Sequence, residues 1–291
     1  MIVVARRFGQ LGNRLILSSH LIAAAREYGV GFMNPSFAQY AHLFQGTAND
    51  LWCRFPSGSN SSRIPFYRQR RLLEKLVERF EKSFWSAHLR KFPYHLRRLQ
   101  DGDTCDLAGD EFADEVRAGR SMLISGWQYR SQALLEKYGH EIRQHFQIVE
   151  KHRRIVDAVS VELRRDSDLV VGIHMRQGDY EFWRGGKFFY SSSQYAALMH
   201  SIVEQFPARS IKFLLCTNGK FNQVDFKGLN VMTGPGHLVE DMYSLAETDF
   251  MVGPPSTYTE WASFYGQKPL FVMDSVDMQI DPNLVTGRVA A

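Results

Sequence analysis

The sequence predicts an α/β protein whose second half is a parallel, doubly wound sheet, on three observations. From residue 169 to residue 273, short apolar runs alternate with stretches of helical apolar spacing, the order that builds strand–helix–strand units. Residues 169–173, LVVGI, are apolar and rich in β-branched side chains, as a strand buried on both faces should be. Near the N-terminus, IVVA at 2–5 leads through the turn GQLGN at 9–13 into a helical pattern at 14–28, a second start of the same kind.

In chain order, the helix at 14–28 stops at Gly29 and a strand is expected at 30–33. Glycines entering a helix leave backbone N–H groups at the positive end of its dipole, which suits an anion. A third glycine, three residues after Gly12, would complete the dinucleotide pattern, but position 15 is leucine. Residues 36–62 read as aromatic-rich connection with a polar tail. Residues 64–99 read as helical and basic, carrying Arg68, Arg70, Arg71, Lys75, Arg79, Lys82, Arg90, Lys91, Arg97 and Arg98 among Phe80, Phe84 and Trp85. Such a region is either a solvated helix face or a cationic face for an anionic acceptor or an acidic membrane surface. A strand follows at 121–129, then helices at 134–146 and 154–165. Beyond the 169–173 strand come a polar–aromatic loop at 182–187, a helix at 192–206 capped by Ser192 or Ser193, and strands at 211–216 and 230–232. A helix at 240–247, a strand at 250–253, a helix at 259–265 and a last strand at 269–273 complete the chain. A boundary near residue 150 gives domains 1–150 and 151–291.

Composition bounds the function. The 291 residues are 44% hydrophobic, 23% charged and 13% aromatic, as in a globular protein. A net charge of +4 is small for this length and implies no general nucleic-acid binding. Cys53, Cys105 and Cys216 lie far apart, with neither metal-ligand spacing nor a disulfide framework. The N-terminal apolar piece is too short for a signal peptide, and no run approaches the roughly 20 apolar residues of a membrane span. The expected location is therefore the cytoplasm, or the inner face of its membrane if the basic region touches lipid. Oligomeric state is not visible.

The 169–173 strand ends in His174, Arg176, Gln177, Gly178 and Asp179. In open α/β sheets ligands bind beyond the carboxyl ends of the strands. Arginine offers a fork of donors for phosphate oxygens, and Asp179 could orient it or accept a hydroxyl proton. A polar turn with a surface Arg–Asp pair is the plainer alternative. Ser256 and Thr257 sit between a strand end and a helix start, as a second phosphate cradle or as an ordinary helix cap.

Three segments, GQLGN at 9–13, HMRQGDY at 174–180 and DFMVGPPSTYTEWASFYG at 249–266, resemble in their order the α1,2-fucosyltransferase family and the wider group of inverting fucosyltransferases with a His-x-Arg-x-x-Asp element. The resemblance implies a GT-B arrangement, two Rossmann-like domains facing a cleft. It implies GDP-fucose as donor, a glycan hydroxyl as acceptor and no required metal. Arg176 would hold the β-phosphate and Asp179 would share the catalytic site. His174, Asp241, Ser256, Thr257 and Tyr258 would line the donor pocket, and Gly12 and Asn13 would face the cleft from the N-terminal domain. Gln177 stands where the family has a second arginine, and Pro255 where it has asparagine. These departures leave two alternatives, a related protein using another nucleotide sugar and a non-catalytic nucleotide- or glycan-binding protein.

Overall fold

A computed structural model describes residues 1–58, 64–83 and 94–286. Phe84, Trp85, Arg90 and Lys91 of the basic stretch, and part of the polar tail before it, lie outside the described residues. The chain divides into two compact units, Met1–Val149 and Glu150–Ala291.

In the first unit, β1 (Ile2–Val4) is central to a five-stranded sheet. It is parallel to β2 (Phe32–Met33) and to β6 (Ser121–Ser125), and β6 is parallel to β4 (Tyr94–Arg98). The helix α1 (Leu11–Glu27) is buried from Leu11 to Ala25 except at half-buried Asn13, as a crossover between parallel strands must be. Two connections contain more structure than their sequence suggests. The stretch 36–58 holds a short helix α2 (Gln45–Ala48) and an edge strand β3 (Arg54–Phe55), antiparallel to β2. The expected helical run 64–99 is corrected: α3 (Tyr67–Lys82) ends at Ser83, and 94–98 is strand β4. YHLRR has weak strand propensity. Pairing with the buried β6 decides its state, because that pairing satisfies a whole row of backbone groups.

A two-stranded sheet joins β5 (Cys105–Asp106) to β7 (Tyr129–Arg130), with α4 (Asp110–Arg117) between them in sequence. The helix expected at 134–146 is broken at Tyr138 into α5 (Gln132–Lys137) and α6 (Gly139–His145).

The second unit matches the expected class. Its sheet runs β10–β9–β8–β11–β12, and every pairing is parallel. The strands are β8 (Leu169–Met175), β9 (Ile211–Thr217), β10 (Val231–Thr233), β11 (Phe250–Gly253) and β12 (Leu270–Val272). All seven residues of β8 are buried. Val171, Ile173 and Met175 pack with Tyr195, Leu198, Met199 and Ile202 of α8 (Ser192–Gln205). On the opposite face, a Cβ on Gly172 would lie 2.8 Å from Leu245 of α9 (Leu238–Ala246), so that helix sits directly on the strand. Helices therefore cover both faces. The remaining elements are α7 (Glu150–Arg164), α10 (Thr257–Gly266) and α11 (Pro282–Thr286). The cap of α8 is Ser191, one residue before the expected serines, in a reciprocal box with Gln194.

Candidate functional site

At and just beyond the carboxyl end of β8, His174, Arg176 and Gln177 go to different tasks. His174 is the last polar residue inside the sheet, 4% exposed. Arg176 follows, just outside. Gln177 turns away: its side-chain amide donates to the Tyr190 carbonyl at 2.8 Å, and its backbone N–H donates to Asn218 Oδ1 at 2.8 Å. Gly178 makes the sharp turn with φ of +65°, a conformation glycine adopts without strain. The turn brings Asp179 back, so that Arg176 Nη2 donates to Asp179 Oδ1 at 2.7 Å. The guanidinium also lies over the Tyr180 ring, 5.2 Å from its centre. One edge of the arginine is thus fixed, while its Nε–H is buried and has no hydrogen-bond partner. A buried charged donor in that state is costly unless something meets it, and an anionic oxygen is its natural complement.

The segment 253–258 is locked onto this turn. The Tyr180 hydroxyl donates to the Pro255 carbonyl. Ser256 caps α10, its Oγ accepting the Tyr258 N–H at 3.2 Å. Thr257 opens the same helix, so the ten-residue α10 begins beside the Arg176 turn. The Tyr258 ring stacks on His174 at 5.0 Å and 28°, and its hydroxyl donates to the Leu238 carbonyl at 2.7 Å. Burial, and secondarily the Arg176 charge, bring the His174 pKa down to about 3. His174 is therefore a neutral platform for Tyr258, and Arg176 supplies the positive charge.

Asp241 lies in the first turn of α9, 8% exposed. Its Oδ1 accepts the Gly236 N–H at 2.8 Å. A Cβ on Gly234 would come within 2.7 Å of the same oxygen and 2.8 Å of Cys216 Sγ, so glycine there keeps room for the carboxylate. Burial first, and the Glu240 charge after the opposing Gly236 hydrogen bond, raise the Asp241 pKa to about 6. The folded state therefore holds a proton that the unfolded chain has released between the ordinary carboxylate range and about pH 6. Over that window this group lowers stability as pH rises.

Neighbouring Glu240 is also buried. His152 Nδ1 of α7 lies 2.7 Å from Glu240 Oε1, and the His237 ring stacks on His152 at 4.7 Å. Among the described residues this is the one His/acid trio whose ligand atoms lie within 4.8 Å of one another. Its geometry is that of an imidazole–carboxylate hydrogen bond with a second ring laid upon it.

The site residues expected in the second half are thus joined by direct contacts from Asp179 through Arg176, Tyr180 and Pro255 to Ser256, and from His174 through Tyr258 to the start of α9. Gly12 and Asn13 belong to the first unit. Gly12 is buried in the first turn of α1. Gly9 precedes it with φ of +58°, and the Asn13 side chain packs so closely that a Cβ on Gly9 would meet it at 2.6 Å. Arg14 folds back to donate to the Gly9 carbonyl at 3.2 Å and to the Ser36 carbonyl at 3.1 Å. Sequence reasoning gave no role to Tyr180 or Asn218, which hold the Arg176 turn in place. Tyr180 stood inside the quoted motif, and Asn218 at a recognised strand end.

Solved structures of fucosyltransferases share this fold. A mutant of Arabidopsis thaliana FUT1 in complex with GDP aligns at TM-score 0.60 and 13% identity, over 93% of this chain and 70% of that one. POFUT1 in complex with GDP aligns at 0.51 and 11% identity, over 92% and 97% of the two chains. The α-1,6-fucosyltransferase NodZ soaked with GDP-fucose aligns at 0.51 and 16% identity, over 91% and 92%. At these identities the likeness is one of fold. No family model and no curated protein matches the sequence.

Proposed function

We propose that this chain is a glycosyltransferase that moves fucose from GDP-fucose to a hydroxyl of a glycan acceptor, with inversion at the anomeric carbon and without a metal. The observation that carries the reading is Arg176, oriented by Asp179 and Tyr180 with a buried Nε–H left to donate, at a strand end in a fold otherwise seen with GDP bound. As the bond to fucose breaks, the anomeric carbon gains positive character and negative charge collects on the leaving diphosphate. In this reading Arg176, the start of α10 at Ser256 and Thr257, and the local backbone N–H groups meet that charge, the task a metal performs elsewhere.

Asp241 serves the ribose or base, and Tyr258 and His174 form the wall of the donor pocket. In this reading the second unit binds the donor. Asp179 acts through Arg176 as its positioning partner, and exposed Glu181 is the other carboxylate near enough in sequence to serve the acceptor hydroxyl. The α1,2 linkage rests on the three-segment resemblance.

Isothermal titration with GDP, UDP and ADP, each with and without EDTA, tests this. Binding of GDP alone, unaffected by EDTA, is the expected result. Preference for UDP would favour a different nucleotide sugar, a reading motivated by Gln177, whose amide is engaged with the Tyr190 carbonyl where a second cation would otherwise stand. Absence of any nucleotide binding would overturn the proposal.

Asp241 gives a pH signature. Only its ionised form accepts two hydrogen bonds from a nucleoside, so with a pKa of about 6 its contribution is lost as pH falls through that value. Affinity for GDP-fucose, whose diphosphate diester does not titrate in this range, is expected to drop about tenfold from pH 7 to pH 5, one proton's worth of linkage. Asp241→Asn should bind more weakly at pH 7 and show a flat profile. A sloping profile in that variant would assign the titration to another group.

A further inference from the structure

The helix α3 is built inside out. Its inner face is mostly charged: Arg70, Glu74 and Glu81 are buried, and beside them the half-buried Val77 packs against Val3, Ala5 and Leu123. Arg70 donates to the Ala48 carbonyl at 2.7 Å and the Thr47 carbonyl at 3.0 Å. Glu74 pairs with Arg7 at 3.1 Å, and Glu81 with Arg98 at 2.6 Å. The outer face carries the large apolar side chains. Leu72, Leu76 and Phe80, each four residues from the next, form one stripe and are 61%, 56% and 38% exposed. Ile64, Phe66 and Tyr67 extend the exposed apolar surface at the start of the helix. Beside the stripe run Arg68, Lys75, Arg79 and Lys82, all exposed, and of these Lys82 is paired with Glu78. An ordinary amphipathic helix turns its leucines inward. Here the fold spends the polar face on its own interior and leaves leucine and phenylalanine outside.

We propose that the outer face of α3 is a docking surface for an anionic lipid bilayer. Leu72, Leu76 and Phe80 enter the boundary between headgroups and acyl chains, and the flanking arginines and lysines meet the acidic headgroups. Charge complementarity selects this occupant. A second copy of the same face would set Arg68, Lys75 and Arg79 against their own counterparts, a like-charge contact. A soluble acidic polymer would satisfy the cations but give no reason for three exposed apolar side chains in register between them. Long basic side chains suit the bilayer because their stems lie along apolar surface while their heads stay in water. The assignment stands apart from the donor site, since it uses no residue placed there.

Co-sedimentation of the full chain with vesicles of phosphatidylglycerol and phosphatidylcholine in equal parts tests it, against vesicles of phosphatidylcholine alone. The expected result is partition to the acidic vesicles that weakens with salt. A Leu72→Ser/Leu76→Ser/Phe80→Ser variant and an Arg68→Gln/Lys75→Gln/Arg79→Gln variant should each partition about tenfold less or weaker still, with unchanged circular dichroism, because the substituted side chains are exposed. GDP binding should be the same in all three proteins, which separates failure here from failure of the transferase reading. Three outcomes would overturn the proposal: no partition of the native chain, partition unchanged by the serine variant, or a native dimer in sedimentation velocity that the serine variant converts to monomer.

Discussion

Arg176→Ala is expected to lower fucosyl transfer by about a hundred- to a thousandfold, the usual cost of about 3–4 kcal/mol for removing one preorganised donor from a developing negative charge. The fold should survive. Arg176 pairs with Asp179, which is 61% exposed at its side chain, so the lost ion pair itself is worth about 0–1 kcal/mol. The other contact, over the Tyr180 ring, is local to the same turn, and Tyr180 keeps its bond to the Pro255 carbonyl. Arg176→Lys is the sharper probe. It keeps the charge but loses the Nε donor and the planar fork, and it should recover only part of the rate. Release of GDP measured alongside thermal melting separates the two effects. Near-normal turnover in the alanine variant would remove Arg176 from the catalytic site.

Trp261→Ala should cost about 3–5 kcal/mol of stability in the second unit, the range for emptying a fully buried aromatic site. Trp261 is 0% exposed and its ring lies against Phe264 at 5.5 Å and Tyr265 at 6.2 Å, with Tyr265 in turn against Tyr243 of α9 at 4.3 Å. This cluster fixes α10, and α10 carries Ser256, Thr257 and Tyr258 at its other end. Weaker GDP binding should therefore accompany the loss of stability. Urea unfolding followed in both units is the appropriate measurement, since a two-unit chain need not unfold in one step. Trp261→Phe should retain much of the stability. A variant that lost turnover with an unchanged urea midpoint would show that Trp261 touches substrate instead of supporting the helix.

The tryptophan illustrates what a local pattern can and cannot convey. It stood in the family-like segment 249–266 without an assigned role, and the structure buries it completely. The arginine turn was legible because its parts are contiguous. A buried strand, a glycine and an Arg/Asp pair within six residues leave few geometries open, and the alternation of strand and helix through the second half had only a parallel sheet to form. In the first half the signal failed where pairing outweighed propensity. YHLRR at 94–98 reads as part of a basic helix and becomes a strand because β6 lies beside it. The inverted polarity of α3 was hidden for the same reason. Composition shows that leucines and arginines share a helix, but the buried carbonyls, Arg7 and Arg98 decide which face turns inward.

What the sequence determined by itself, then, is the order and type of most elements and the residues that reach the end of β8, since periodicity and turn chemistry act over a few residues. The tertiary structure alone decided the clamp of Tyr180 on Pro255, the stacking of Tyr258 on a neutral His174, the diversion of Gln177 to Tyr190 and the raised pKa of Asp241. Each of these depends on burial or on a partner distant along the chain, and both come into being only when the sheet and its helices close around the site.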